Sequence, residues 1–109
     1  MITEVEQKRP QVAQLCRQYR VLRLDLFGSA ASGAFSPATS DFDFIARFAD
    51  TRSADYADRY LDFAEALERL FGRRVDLLTE RAIRNPYFRA EVDRTRQVVY
   101  EQQPQEALA

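Results

Sequence analysis

Two aspartates one residue apart, Asp41 and Asp43, stand at the entrance to an apolar run, Phe42-Asp43-Phe44-Ile45-Ala46. In an extended strand alternate side chains share a face, so both carboxylates point the same way. Their Cα atoms then lie roughly 7 Å apart, at about 3.3 Å per residue. Carboxylates at that spacing can converge on one divalent cation, or on two cations about 4 Å apart. Asp is disfavoured in strands, so the pair calls for a chemical reason. Upstream, Leu26-Phe27-Gly28-Ser29 reads as a strand running into a small-residue turn. Backbone N–H groups there, with the Ser29 hydroxyl, would form a nest for phosphate oxygens. Downstream, Asp76 lies inside Arg73-Arg74-Val75-Asp76-Leu77-Leu78. If that strand neighbours the first, Asp76 joins the pair on one face. Three carboxylates repel one another unless a cation neutralises them. A magnesium pair would do so, and would serve phosphoryl or nucleotidyl transfer, which is mainly positioning and charge neutralisation.

Composition narrows the chemistry further. The chain has no histidine, so a histidine base, a His-based zinc site and every Ser-His-Asp or Cys-His arrangement are excluded. Carboxylates and a hard, oxygen-liganded cation remain. Net charge is −1, which argues against a mainly electrostatic nucleic-acid binder, and no stable DNA binding is expected. Cys16 is the only cysteine, so no internal disulfide can form. With no signal peptide in the sequence, a reducing cytoplasm is the expectation. The apolar runs are too short to cross a bilayer. The length, 109 residues, suits one domain with one core.

The elements that must position these groups are legible from periodicity. Thr3 and Glu6 have the spacing of a capping box. Val12, Leu15, Cys16 and Tyr19 fall at helical intervals. Pro10 leaves two arrangements open: a helix from about residue 10 to 19 with Pro in its first turn, or a longer kinked helix. Cys16 is expected in the core. Residues 21–27 alternate as a strand with Leu22, Leu24 and Leu26 on one face; Asp25 is expected on a solvated face, an approach to the site being the lesser alternative. Residues 28–39 are a small, polar connection in which 30–34 can make one helical turn. Residues 41–48 form the second strand, with Phe42, Phe44, Ala46 and Phe48 opposite the carboxylates. Ser53 or Asp50 can cap a helix over 54–71, whose stripe is Tyr60, Phe63, Ala64, Leu67, Leu70 and Phe71, with Gly72 closing it. The third strand is 73–78, entered by solvated Arg73 and Arg74. Asn85-Pro86 opens a last helix expected to turn Tyr87, Phe88 and Val92 inward, with a partner or nucleotide surface at Tyr87 and Phe88 the lesser alternative. A strand over 97–100 follows. Residues 1–101 are expected as the domain and 102–109 as a flexible tail.

The ordered set is far more specific than any of its pieces. Phe27-Gly28-Ser29 with Ser40-Asp41-Phe42-Asp43 resembles the signature of the nucleotidyltransferase superfamily that includes DNA polymerase beta. The small size is similar to its minimal branch, the MNT domains. Arg74-Val75-Asp76-Leu77-Leu78 resembles the third-carboxylate strand of that branch. Ile83-Arg84-Asn85-Pro86-Tyr87-Phe88 and Val98-Val99-Tyr100 resemble its usual close. The resemblance spans roughly residues 10 to 101. It implies an α+β, palm-like fold, a small mixed sheet with helices packed on one side. It implies that Gly28, Ser29 and Ser40 serve the nucleotide, ATP, and that Asp41, Asp43 and Asp76 ligate Mg²⁺ and carry catalysis. It also implies a partner, a HEPN-domain ribonuclease toxin that such a domain neutralises as antitoxin by transferring AMP to a tyrosine. Two departures stand out. Ala30 and Ser32 occupy places where many members are basic, and the spacer from Ser29 to Asp41 is one residue longer than in the shortest motif.

Three functional readings are thus set against a plain α+β domain with three surface aspartates. The first is an active transferase acting on a partner protein. The second is an antitoxin that works by binding alone. The third is a small-molecule transferase of the aminoglycoside-modifying kind, which would need an added substrate domain.

Overall fold

The computed structural model describes residues 2–32 and 41–102. Ser40, the rest of the connection from residue 33, and residues 103–109 of the expected tail lie outside them. In chain order the elements are α1 (Thr3–Gln7), α2 (Arg9–Gln18), β1 (Val21–Phe27), α3 (Ser29–Ser32), β2 (Phe42–Phe48), α4 (Tyr56–Phe71), β3 (Val75–Thr79), a 3-10 turn (Glu80–Ala82), α5 (Pro86–Thr95) and β4 (Gln97–Glu101). The strands form one mixed sheet in the order β3-β2-β1-β4. β1 is antiparallel to β2 and to β4, while β2 and β3 run parallel with α4 as their crossover. None of the described helices is long and apolar enough to cross a membrane.

Strand alternation divides the molecule. Leu24, Leu26, Phe42, Phe44, Ala46, Phe48 and Leu77 fill one face and pack on Val12 and Cys16 of α2 and Phe63, Leu67 and Phe71 of α4. Edge-to-face aromatic contacts run through this layer, with Phe42 5.1 Å from Phe71 and Phe48 5.8 Å from Phe63. Cys16 is a core residue, and burial pushes its thiol up to about 12. The opposite face carries a smaller cluster, Phe27, Ile45 and Val92 of α5, with Leu78 and Ile83 beside it.

Several local expectations are corrected. Thr3 and Glu6 make no capping box: Ile2 holds the N-cap position without a side-chain bond, and Glu6 lies 3.6 Å from Arg9 instead. The chain breaks at Lys8 into two helices, with Pro10 in the first turn of the second. Neither Ser53 nor Asp50 caps α4. The Ser53 hydroxyl donates to Asp55, which itself occupies the N-cap position. Arg59 is buried on α4 although its type suggests a surface. Its guanidinium donates to Asp55 and to the carbonyls of Tyr19, Ala49 and Asp50. It thereby satisfies the corner where Arg20 and Asp50 both take left-handed backbone, at φ 58° and 51°. Arg73 is half-buried, not simply solvated, and its guanidinium lies 4.6 Å from the centre of the Phe42 ring.

The expected stop of α4 and start of α5 hold. Gly72 ends α4 at φ 66°, and Asn85 caps α5 by accepting from the amides of Tyr87 and Phe88. The inward set of α5 differs from the one expected. Val92 is fully buried, but Tyr87 is 86% exposed and Phe88 41% exposed. At about 100° per residue Tyr87 projects well away from Val92, whereas Phe88 is close enough in direction to meet Phe27 edge-on.

Candidate active site

The site is set by strand register. Asp43 of β2 is the direct partner of Phe27 on one side and of Asp76 on the other. Paired residues on adjacent strands share a face, with backbones about 4.8 Å apart. The expected juxtaposition of Asp43 and Asp76 is therefore present. Asp41 stands just before β2, not within it, because sheet hydrogen bonding begins where the Phe42 amide donates to the Arg74 carbonyl at 3.2 Å. Its charge nonetheless reaches Asp43. Burial, then the adjacent Asp76 through charge and a hydrogen bond, then Asp41, push the Asp43 carboxyl up to about 6. Asp76 itself is exposed and open to a reactant from solvent.

Glycine is favoured at position 28 for two reasons. Its φ is +74°, a conformation that side chains resist. A Cβ at this position would also stand 2.6 Å from Oδ2 of Asp43. The glycine thus lets the carboxylate lie against the backbone of the turn. Its amide is committed: the Gly28 N–H donates to the Thr95 hydroxyl at 3.2 Å, and that hydroxyl donates to the Glu91 carbonyl at 3.1 Å. The part of the anion nest that would use the Gly28 amide is therefore not available to a phosphate. Ser29 opens the short helix α3 immediately after it.

Asp25 is the main correction on this face. It is not on a solvated strand face but completely buried, accepting from Arg23 at 3.0 Å and from Arg96 at 2.6 Å. Arg96 also binds Glu80, which Arg89 holds from its other side at 2.6 Å. Burial alone would raise Glu80, but Arg96 and Arg89 together hold it below the usual carboxylate range. Sequence reading ranked Asp25's approach to the site below a solvated face and missed Arg96 and Thr95 as parts of the site's frame. An Asp within an apolar strand was a usable signal for the first, and nothing local marked the other two.

Among the described residues no three carboxylates are gathered tightly enough to form a finished metal cage. The close set is Asp43 and Asp76, with Asp41 within electrostatic reach. This donor set, carboxylate oxygens without imidazole or thiolate, fits a hard divalent cation such as Mg²⁺. Burial and the neighbouring carboxylates both disfavour the charged form of Asp43, which a cation held at the pair would relieve.

A mixed sheet presenting register-paired aspartates beside a glycine turn defines a small palm-like domain. The chain belongs to the nucleotidyltransferase domain family, whose sequence profile matches residues 9–99. It is 33% identical over 92 residues to a Methanocaldococcus jannaschii protein named "Putative protein adenylyltransferase MJ1379", covering 84% of this chain and 88% of that one. It superposes with a TM-score of 0.69 on a solved structure described as a "putative minimal nucleotidyltransferase", at 32% identity over 84% of this chain and 89% of that one. The fold is also that of a chain in the complex of a tri-AMPylated Shewanella oneidensis HEPN toxin with its MNT antitoxin. There the TM-score is 0.62 and the identity 19%, covering 95% of this chain and 78% of that one.

Proposed function

We propose that this chain is a Mg²⁺-dependent protein adenylyltransferase that moves AMP from ATP to a hydroxyl, a tyrosine, of a HEPN-type toxin and so acts as its antitoxin. The observation that carries this reading is the register pairing of Asp43 with Asp76 against the Gly28 turn. Asp41, Asp43 and Asp76 would hold Mg²⁺, which supplies charge neutralisation for the phosphates and the departing pyrophosphate. Gly28 gives the clearance that brings the turn close to Asp43, and Ser29 and Ser40 serve the phosphates from that turn and from the approach to Asp41. The acceptor hydroxyl attacks the α-phosphorus, the bond to the bridging oxygen breaks, and pyrophosphate leaves. Asp76, the exposed member of the pair, takes the hydroxyl proton as the new bond forms. In this reading the acceptor hydroxyl comes from a second protein, the toxin.

The test is the intact mass of the co-purified partner after incubation with ATP and Mg²⁺, with Asp41→Asn as control. A gain of one or more AMP units that the control lacks is the expected result. A second reading, neutralisation by binding alone, draws on Ala30 and Ser32 standing where basic residues are common and on the committed Gly28 amide. It predicts no mass gain in a complex that still blocks the partner.

A further inference from the structure

Gly28 is held from two sides. On one lies the Asp43 carboxylate, so close that a Cβ on the glycine would stand 2.6 Å from its Oδ2 and force it to move. On the other lies Thr95, the last residue of α5, only 8% exposed. A hydroxyl has one proton to give and can accept as well. Thr95 uses both capacities, donating back into its own helix at Glu91 and accepting the Gly28 N–H. The β1–β4 ladder ends at the pair Leu26 and Gln97, so the strand itself offers Gly28 no partner on this side. The threonine side chain replaces the missing ladder bond and fixes the height at which the chain turns from β1 into α3.

Thr95 is itself anchored by its neighbour. The Arg96 guanidinium bonds Asp25 on β1 at 2.6 Å, Asp93 on α5 at 3.1 Å, and Glu80 just beyond β3. It therefore bridges the two strands that flank β2, and the end of α5 cannot shift along the sheet without breaking charged bonds on both sides.

We propose that Thr95 is a positioning residue for nucleotide binding. Its hydroxyl locks the Gly28–Ser29 turn at a fixed distance from the Asp43–Asp76 pair, and Arg96 keeps Thr95 in register. The inference rests on the reading above that this turn serves the phosphates. Thr95 touches neither the nucleotide nor the reacting atoms.

The test compares Thr95→Val, Thr95→Ala and Thr95→Ser for affinity toward AMP-PNP with Mg²⁺ by calorimetry, together with hydrogen exchange of the Gly28 amide by NMR. Thr95→Val and Thr95→Ala are expected to weaken AMP-PNP by about ten-fold and to speed Gly28 exchange by at least about ten-fold, the effect of one lost buried hydrogen bond. Thr95→Ser, which keeps the hydroxyl, should remain within about two-fold of the unaltered protein in both. Should Thr95→Val not fold, Thr95→Ala carries the same comparison. Unchanged affinity in either hydroxyl-free variant, or equal weakening in Thr95→Ser, overturns the inference, and a lowered melting temperature alone would mean a structural role. Failure of the unaltered protein to bind AMP-PNP would instead sink the nucleotidyl-transfer reading, and the inference with it.

Discussion

Asp25 and Asp43 sit on the same face of one sheet, on adjacent strands, yet their surroundings are opposite. Asp25 lies fully buried between two guanidiniums, Arg23 and Arg96, and the charges extend to Glu80 and Arg89. Asp43 has another carboxylate as its register partner and a glycine backbone beneath it. Among the described residues, the fold therefore supplies a counter-charge to Asp25 and pairs Asp43 with a like charge. A carboxylate neutralised from within is part of the frame. A carboxylate pair left to repel itself is, in the function proposed above, where positive charge from outside would bind. The same contrast separates their neighbours, for Arg96 serves the frame directly and the site only through Thr95.

The comparison can be broken most sharply by substitution in the pair. Asp43→Asn and Asp76→Asn should each cut AMP transfer by about a thousand-fold or more, through loss of metal and charge handling. Their melting temperatures should hold or rise, because a repulsion is removed. A large loss of stability in both would show that the pair is structural, which would erase the distinction from Asp25. Asp25→Ala should have the opposite signature. It leaves Arg96 and Arg23 without their partner in a buried setting and should cost about 3 kcal/mol, seen as a lower urea midpoint. A neutral effect would mean that the guanidiniums find water and that Asp25 is not a keystone.

Gly28→Ala tests the interface between the two regions. Forcing a Cβ into left-handed backbone should cost about 1–2 kcal/mol. The clash with Asp43 Oδ2 should reduce transfer beyond what that destabilisation explains. The smallest expected effect is a pH dependence. The Asp43 carboxyl is raised from 3.8 to about 6 in the folded metal-free protein, so between those values the folded state holds the extra proton. Stability of the metal-free protein should therefore rise as pH falls from above 6 toward 4, and the rise should be absent in Asp43→Asn. A thermal-melting series over that range checks both, and an increase in the opposite direction would mean that Asp43 has a counter-charge after all.

Much of this was written locally. The strands β1, β2 and β3, the helix α4 with its terminal Gly72, and the Asn85 cap of α5 each follow from a side-chain period or a cap chemistry confined to a few neighbours. What escaped was decided by partners distant in sequence. Asp25 looked like a surface residue because its arginine partner on α5's far end is 71 positions away. The burial of Arg59 had no local mark, because the carbonyls it satisfies belong to turns on two other segments. Tyr87 looked like core because its type is apolar, although its helix turns it away from Val92.

For the candidate site the division is similar. Residue types and order alone singled out Gly28, Ser29, Ser40, Asp41, Asp43 and Asp76, and the absence of histidine limited what they could do. Only the tertiary structure decided that Asp43 and Asp76 share a register position, that Gly28 has a steric reason to lack a side chain, and that its amide belongs to Thr95. The physical reason is that periodicity fixes which face a side chain takes, a local property of the backbone. Which charges then meet on that face depends on strand order, and strand order is set by packing across the whole chain.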